Sequence, residues 1–315
     1  MEEEVTLKEI LERKVIAYYT DIWHDIRHSD YQRWLNNFTG NENEKLNALY
    51  MLSKFTYFGN LEIRAMLKAL YRDLYKYPII EQIRINKNDT TDEAYLKKQF
   101  KKHRDKTRFL GVGNPSESGV HMLYYFRQEN KLSKRMFVHA HELFKSSLLE
   151  EKKSIVQTWA DDEIDHIVFI DDFCGDGSQA IGYIKDLVKT IKDLKEGCKV
   201  DYYVLVAMQN GLKTVKDETN VDNSKAIFVL DDSFKCFADN SRYFVNTNEG
   251  IDKDLCRYLC DHYGKDRYGD ANSPFGFNDN ELLLSFFHNT PNNTHPIFWT
   301  DKEWYPIFMR SIKIY

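Results

Sequence analysis

Residues 167–180 read Ile-Val-Phe-Ile-Asp-Asp-Phe-Cys-Gly-Asp-Gly-Ser-Gln-Ala, and this stretch decides the fold. Its four leading apolar residues have the pattern of a strand buried on both faces of a sheet. Two carboxylates, Asp171 and Asp172, stand at the C-terminal end of the run. Gly175 and Gly177 then allow a tight turn and a close approach of backbone to a ligand. Ile181, Ile184, Leu187, Val188, Ile191 and Leu194 follow at helical spacing. Strand, glycine turn and helix together set a row of backbone N–H groups at the mouth of a parallel sheet. Such a helix start suits an anion, and phosphate above all. Carboxylates beside it suit the hydroxyls of a ribose. The plainer alternative is that the acids only cap the helix.

Around this unit the chain alternates short apolar runs with helical stretches. The runs are Phe109–Val112, Met136–His139, Ile167–Ile170, Tyr202–Met208, Ala226–Leu230 and Leu282–Phe287. Helical patterns lie between several of them, notably 120–130 and 178–195. This alternation predicts an α/β fold with a mostly parallel sheet and flanking helices. Residues 6–105 read differently, as an all-helical region of five helices. Apolar residues recur there at helical spacing from Leu7 to Ile26, from Leu46 to Leu52 and from Leu61 to Leu74. Pro78 is expected as a stop, and Thr90 with Glu93 as a capping box for the last helix. The expected division is a helical region over 1–106 and an α/β domain over 107–315.

Composition narrows the class. The hydrophobic fraction is 42 %, the charged fraction 30 % and the formal net charge −5, ordinary for a folded globular chain. This balance gives no global reason to expect nucleic acid or an anionic membrane. The one strongly basic run, 97–108, can touch a phosphate backbone, but is read first as the solvated face of a helix. No apolar run approaches the ~20 residues of a membrane span, and the acidic start Met1–Glu4 does not resemble a secretory leader. Five cysteines without regular spacing argue against a disulfide framework. Cys256 and Cys260, with His262 near, lack the second ligand pair of a structural zinc site. We therefore expect a cytoplasmic protein, no membrane partner and no metal held by protein ligands alone.

Two known patterns compete for the Asp-Asp loop. In the phosphoribosyltransferase pattern two acids hold the ribose of phosphoribosyl pyrophosphate and a small-residue loop cradles its 5′-phosphate. Asp171, Asp172 and Gly177 match it. The S-adenosylmethionine loop of DNA methyltransferases is matched by Asp171, Phe173, Cys174, Gly175 and Gly177. That alternative wants an acid after the next strand, yet Val204–Met208 continues as Gln209-Asn210, and no Asn/Asp-Pro-Pro-aromatic motif is present. The phosphoribosyltransferase order fits better: first strand, pyrophosphate loop, helix, strand, Asp-Asp loop. Phe109–Gly113 would be the first strand and residues 114–119 its loop. There Ser116, Ser118 and Gly119 are candidate pyrophosphate donors, or no more than a turn before a helix.

The chain as a whole resembles the phosphoribosyltransferase-like proteins of bacterial conflict and anti-phage gene clusters. The resemblance rests on Trp34–Phe38, on Asp171-Asp172-Phe173 with Gly175 and Gly177, and on His288-Asn289-Thr290-Pro291-Asn292-Asn293-Thr294. It continues through Pro296, Phe298, Trp299, Trp304, Pro306 and Arg310. It implies a phosphoribosyltransferase-like α/β fold, a nucleotide or ribose-phosphate ligand and a defence role alongside another protein of the same gene cluster. It also implies magnesium bound with phosphoribosyl pyrophosphate. The acids Asp171 and Asp172 would be catalytic, and Gly175, Asp176, Gly177, Ser178 and Gln179 would form the phosphate loop. His288, Asn289, Thr290, Asn292, Asn293 and Thr294 would form a hood over the site, or else an Asx-rich turn that satisfies its own backbone. His288 and His295 are candidate bases by position. One departure stands out: Asp176 occupies a position where the phosphate loop of classical phosphoribosyltransferases has Ser or Thr. A carboxylate ~4 Å from a phosphate charge costs about 4 kcal/mol at an effective dielectric of 20. That departure keeps a non-catalytic, nucleotide-sensing module open as the second reading.

Overall fold

The computed structural model describes residues 5–23, 26–114, 118–149, 154–265 and 273–310. They form two compact units, one of residues 1–62 with 231–315, the other of 63–230. The division is therefore not at 106/107. The N-terminal helices pack with the C-terminal segment in one unit, and residues 63–106 belong with the sheet.

The first unit begins with α1 (Leu7–Asp21), α2 (His28–Leu35), α3 (Glu42–Ser53) and β1 (Thr56–Phe58), with α4 (Asn60–Ala69) straddling the boundary. Thr6 caps α1 through a reciprocal pair with Glu9, which satisfies two otherwise orphaned amides. Aromatic rings dominate the core. Trp34 stacks on Phe298 with centroids 5.4 Å apart, and Phe55 on Phe308 at 4.2 Å. Trp34 and Trp304 both donate from Nε1 to the Ile297 carbonyl at 2.8 Å. Thus the Trp34–Phe38 and Ile297–Phe308 segments are one packing unit, and a buried indole N–H requires such a partner.

The second unit continues from α4 through a π-helical turn, Leu70–Lys76, into α5 (Tyr77–Ile85) and then α6 (Glu93–Asp105). Pro78 does not stop the helix. It lies in the first turn of α5, where the π register has already replaced the ordinary bond: Tyr77 N–H reaches Arg72. Nor does Thr90 cap α6. Asp92 does, accepting from Tyr95 N–H at 3.0 Å, while Thr90 Oγ1 accepts from Asp92 N–H.

The sheet follows as β2 (Thr107–Gly111), α7 (Ser118–Glu129), an antiparallel hairpin β3 (Phe144–Leu149) and β4 (Ser154–Trp159), then β5 (His166–Cys174), α8 (Ser178–Leu194), β6 (Lys199–Met208), α9 (Gln209–Thr219) and β7 (Asn223–Leu230). Its order is β2-β5-β6-β7, all parallel. The α/β architecture expected from alternation is the one adopted. Along β5 only Phe173 is not fully buried, as a central parallel strand demands. Ala180, Ile184, Val188 and Ile191 form the buried face of α8; the larger aliphatic side chains among them contribute roughly 1.5–3 kcal/mol each.

Two expected strands behave differently. Met136–His139 forms a short 3-10 turn and a single parallel bridge from Phe137 to Phe109. Leu282–Phe287 supplies β8 (Leu284–Phe286), which pairs with β1 inside the first unit rather than with the main sheet. The last helix, α10 (Lys253–Gly264), buries Cys256 and Cys260 in the first unit's core beside Asn47 and Met51.

At the N-terminal end of the sheet lies a buried polar network. His103 Nε2 meets His166 Nδ1 at 3.0 Å, and His166 Nε2 meets Asp201 Oδ2 at 2.9 Å. Tyr203 donates to the same Asp201 oxygen at 2.6 Å and Asn223 to the other at 2.7 Å. Burial alone would raise the Asp201 carboxyl. The His166 hydrogen bond and charge, Lys199 and Tyr203 hold it below the usual carboxylate range.

Candidate functional site

The chain enters the sheet at β2, passes through α7 to the bridge at Phe137 on the outer side of β2, and returns to β5 on the inner side. The direction of winding therefore reverses between β2 and β5. In open α/β sheets, ligands lie outside the carboxyl ends of strands at such a switch point. Asp171 and Asp172 stand near the carboxyl end of β5, and Gly111 ends β2 beside them.

The two acids lie within the strand, not past it, because β5 continues to Cys174 paired with Ala207. Successive residues of a strand face opposite sides, yet the two carboxyl groups still interact, through charge and a side-chain hydrogen bond. Asp171 is 6 % exposed and Asp172 7 %. Asp171 Oδ1 accepts from Asp172 N–H at 2.9 Å, and Oδ2 from the Tyr202 hydroxyl at 3.1 Å. Burial pushes the Asp171 carboxyl well above its ordinary range, and the neighbouring Asp172 charge adds to this. Asp172 Oδ1 accepts from Phe173 N–H at 2.9 Å. The buried Cys174 thiol is pushed up to about 12, by burial first and Asp171 second.

The glycine loop is shaped by its neighbour α9. Gly177 has φ +91°, and a Cβ there would lie 3.0 Å from both the Gly211 carbonyl oxygen and Val215 Cγ2. At Gly211 a Cβ would overlap the Gly175 carbonyl. These glycines let the loop and the start of α9 touch through their backbones. Asp176 turns back on the helix: its Oδ1 accepts from Ser178 N–H at 2.9 Å and from Ser178 Oγ at 2.7 Å. Asp176, rather than Asp171 or Asp172, thus takes the first amide of α8. It fills one of the amide positions a phosphate would use, and leaves Gln179 and Ala180 at the head of the α8 dipole. Ser178 and Gln179 are exposed, Gly175 half-buried.

Across the switch point, Gly119 sits in the first turn of α7. A Cβ there would overlap the Val112 carbonyl and lie 3.1 Å from Asp171 Oδ1. Gly119 thus brings the α7 start against the acid. Asn114 Nδ2 reaches the Tyr183 hydroxyl at 3.2 Å, tying the loop after β2 to α8. Ser116 and the Ser118 side chain lie outside the described residues.

The Asn-Thr-rich run belongs to the other unit. Thr290, Asn293 and Thr294 are buried. Thr290 Oγ1 bonds Ser285 Oγ at 2.7 Å and the Met309 carbonyl at 2.8 Å, and Thr294 Oγ1 donates to the Leu284 carbonyl at 2.5 Å. Asn292 and Asn293 carbonyls accept from Phe277 and Leu282 N–H, and Asn289 closes a tight turn on Phe286. His288 stacks on Phe286. These side-chain contacts tie the run to Leu284, Ser285 and Met309 within the first unit. His295 is buried against Phe237, and burial lowers it to about 4.

Tyr202 and Gly211 were not singled out from the sequence. Tyr202 is one more aromatic in an apolar run and gives no signal. Gly211, an isolated glycine at the start of a helical pattern, is the kind of residue that marks a close backbone approach.

Compared with known protein families, residues 31–310 match the PRTase-CE family. The chain belongs to the PRTase-CE family. Comparison with curated proteins found no match. The PRTase-CE match spans both units and gives the chain a phosphoribosyltransferase-like character, in keeping with the parallel sheet and the placement of Asp171 and Asp172.

Among the described residues, no three His, Cys, Asp or Glu side chains cluster as metal ligands. Magnesium commonly uses one or two carboxylates and takes its remaining ligands from substrate phosphates and water. Asp172 and Asp176 are suited to that lesser share, while Asp171, its carboxyl raised by burial and its two oxygens already accepting from Asp172 N–H and Tyr202, is a weaker ligand. No described helix is long and apolar enough to cross a membrane.

Proposed function

We propose that this PRTase-CE chain binds a ribose-phosphate ligand, phosphoribosyl pyrophosphate or a nucleotide, at the switch point between β2 and β5, and transfers or cleaves its ribosyl-phosphate group. The observation that carries this is the Asp171–Asp172 pair near the carboxyl end of the central strand, flanked by the starts of α7 and α8. Asp172 would accept hydrogen bonds from ribose hydroxyls, and its charge would favour the cationic sugar as the bond from the anomeric carbon to the leaving oxygen breaks. Asp171, whose two oxygens accept from Asp172 N–H and the Tyr202 hydroxyl, would hold the strand end beside the ribose. The amides of the first turns of α7 and α8 would hold the anionic ends. Magnesium, bound mainly by the pyrophosphate, would supply charge neutralisation of the leaving group.

A second reading is favoured by one contact. Because Asp176 engages Ser178, the phosphate cradle is partly filled, which suits a nucleotide sensor with little chemistry. The family resemblance supports a bacterial defence role with a partner protein from the same gene cluster, and the buried free thiols suit the reducing cytoplasm. The methyltransferase alternative draws no support from the family match.

Calorimetric titration with phosphoribosyl pyrophosphate and magnesium tests the proposal. Saturable binding that disappears in Asp172→Asn is expected. A folded protein that releases no heat with this ligand would overturn the ribose-phosphate reading.

A further inference from the structure

A second charged feature lies at the opposite end of the same sheet. On α6, Leu96 and Phe100 turn inward, whereas Lys97, Lys98, Lys101 and Lys102 are exposed. Lys98, Lys101, Lys102 and Lys106 follow one another at spacings of three, one and four, so they share a face. Lys97 pairs with Glu93. Among the described residues no carboxylate pairs with Lys98, Lys101 or Lys102.

The stripe runs into a surface cleft of about 520 Å³ lined by Lys102, Asp105, Lys106, Arg108, Arg135 and Glu163. Its four cations are matched by two acids of the lining and by Asp165 and Asp161, which pair with Lys106 and Arg108, so the excess of positive charge comes from Lys98 and Lys101 on the stripe. Its ion pairs are long or exposed: Lys106–Asp165 at 3.3 Å, Arg108–Asp161 at 3.4 Å and Arg135–Asp105 at 3.0 Å. Pairs of this kind contribute little, so Lys106 and Arg135 are available to a stronger anion, whereas Arg108 also donates to the Asp105 and Thr107 carbonyls and serves as cleft wall. The negative end of the α6 dipole accounts for Lys102 in the last turn. It does not account for Lys98, a full turn earlier, nor for Arg108 and Arg135, which come from other segments.

From Lys98 to Lys106 the stripe runs about 12 Å. Along the axis of a duplex each strand advances ~3.4 Å per phosphate, so a stripe laid along that axis spans the rise of three or four phosphates and is longer than a single phosphate needs. We propose that the outward face of α6 and the cleft at its C-terminal end bind the sugar–phosphate backbone of a nucleic acid. Lysines that meet phosphates position a strand without reading its bases, so binding is independent of sequence. It is also separate from the Asp171–Asp172 end of the sheet.

The test is fluorescence anisotropy of the full chain with a labelled single strand of mixed sequence and with its duplex, over a range of salt. The expected result is saturable binding with a slope of log K on log salt of about −3 to −4 for the duplex and about −2 to −3 for the single strand. The triple substitution Lys98→Glu, Lys101→Glu, Lys102→Glu should make the slope shallower by about 2–3, and Arg135→Ala by about 1. Lys189→Glu with Lys213→Glu, exposed on α8 and α9, should leave it unchanged, with circular dichroism alike throughout. No binding at low salt, equal losses in the triple variant and the α8–α9 control, or inorganic tripolyphosphate binding as tightly as the oligonucleotide would each overturn the proposal.

Discussion

The Tyr202 hydroxyl donates to Asp171 Oδ2 at 3.1 Å across neighbouring strands, and so seats one half of the acid pair in the interior of the sheet. Asp171 holds its proton in the folded chain at pH values where the unfolded chain has lost it. The native state then binds more protons, and stability falls as pH rises above the ordinary carboxylate pKa of about 3.9. Asp171→Asn should therefore raise the thermal midpoint at pH 7 and flatten its decline with pH. Thermal melts from pH 4 to 8 check both, and an unchanged pH dependence would remove the burial argument.

Asp176 accepts from both the amide and the hydroxyl of Ser178, and so places a carboxylate in the glycine loop. Replacing it with Ser removes a charge whose repulsion of a phosphate at ~4 Å is worth up to about 4 kcal/mol at an effective dielectric of 20, less after solvent screening. Asp176→Ser should tighten binding of phosphoribosyl pyrophosphate by roughly tenfold or more. Calorimetry that finds equal or weaker binding would show that Asp176 serves the ligand rather than opposes it.

The backbone contact between the glycine loop and α9 makes both glycines costly to replace. Gly177→Ala must adopt φ +91° and press on Gly211 and Val215, at a cost of about 1–3 kcal/mol. Gly211→Ala must push the Gly175 carbonyl away. Urea unfolding should show both destabilised, with ligand affinity in Gly211→Ala falling beyond what residual unfolding explains.

Acid should unfold the second unit through its buried network. His103 is lowered to about 4, by burial and then by His166. The unfolded chain thus takes up a proton that the folded one refuses, and stability falls as pH drops from about 6.5 to 4. Asp201, held below its ordinary range, adds a loss only below about pH 4. His103→Gln should flatten the first limb in melts followed by circular dichroism. Asp201→Ala strands His166, Tyr203 and Asn223, and should cost about 3–5 kcal/mol.

Much of the second unit was legible because its signals are local. An apolar run, two acids and two glycines specify β5, the turn and α8 within fifteen residues, and the helical spacing of Ile184, Val188 and Ile191 named the buried face. What escaped depends on distant partners. Thr56–Phe58 is three residues long and becomes a strand only because Leu284–Phe286 lies beside it. Strands β3, Phe-Lys-Ser-Ser-Leu-Leu, and β4, Ser-Ile-Val-Gln-Thr-Trp, have no strict apolar alternation to announce them. In the site, the acid pair and loop could be named from chemistry, but no local pattern says that Tyr202 reaches Asp171. Likewise the Asn-Thr run advertised polar groups, and only the fold shows Thr290 and Thr294 spending them on backbone.

The first unit is made of two stretches separated by the whole of residues 63–230. On the ribosome that interval takes roughly 10–30 s at 5–20 residues per second. The intervening sheet can form as soon as β7 emerges, whereas Trp34 must wait for Ile297 and Phe298 before its ring and N–H find their partners. Until then α1–α3 expose an aromatic face that belongs in a core. The nascent chain passes through a period in which a finished α/β unit trails an unfinished helical one, and chaperone engagement should concentrate on the earliest-made helices.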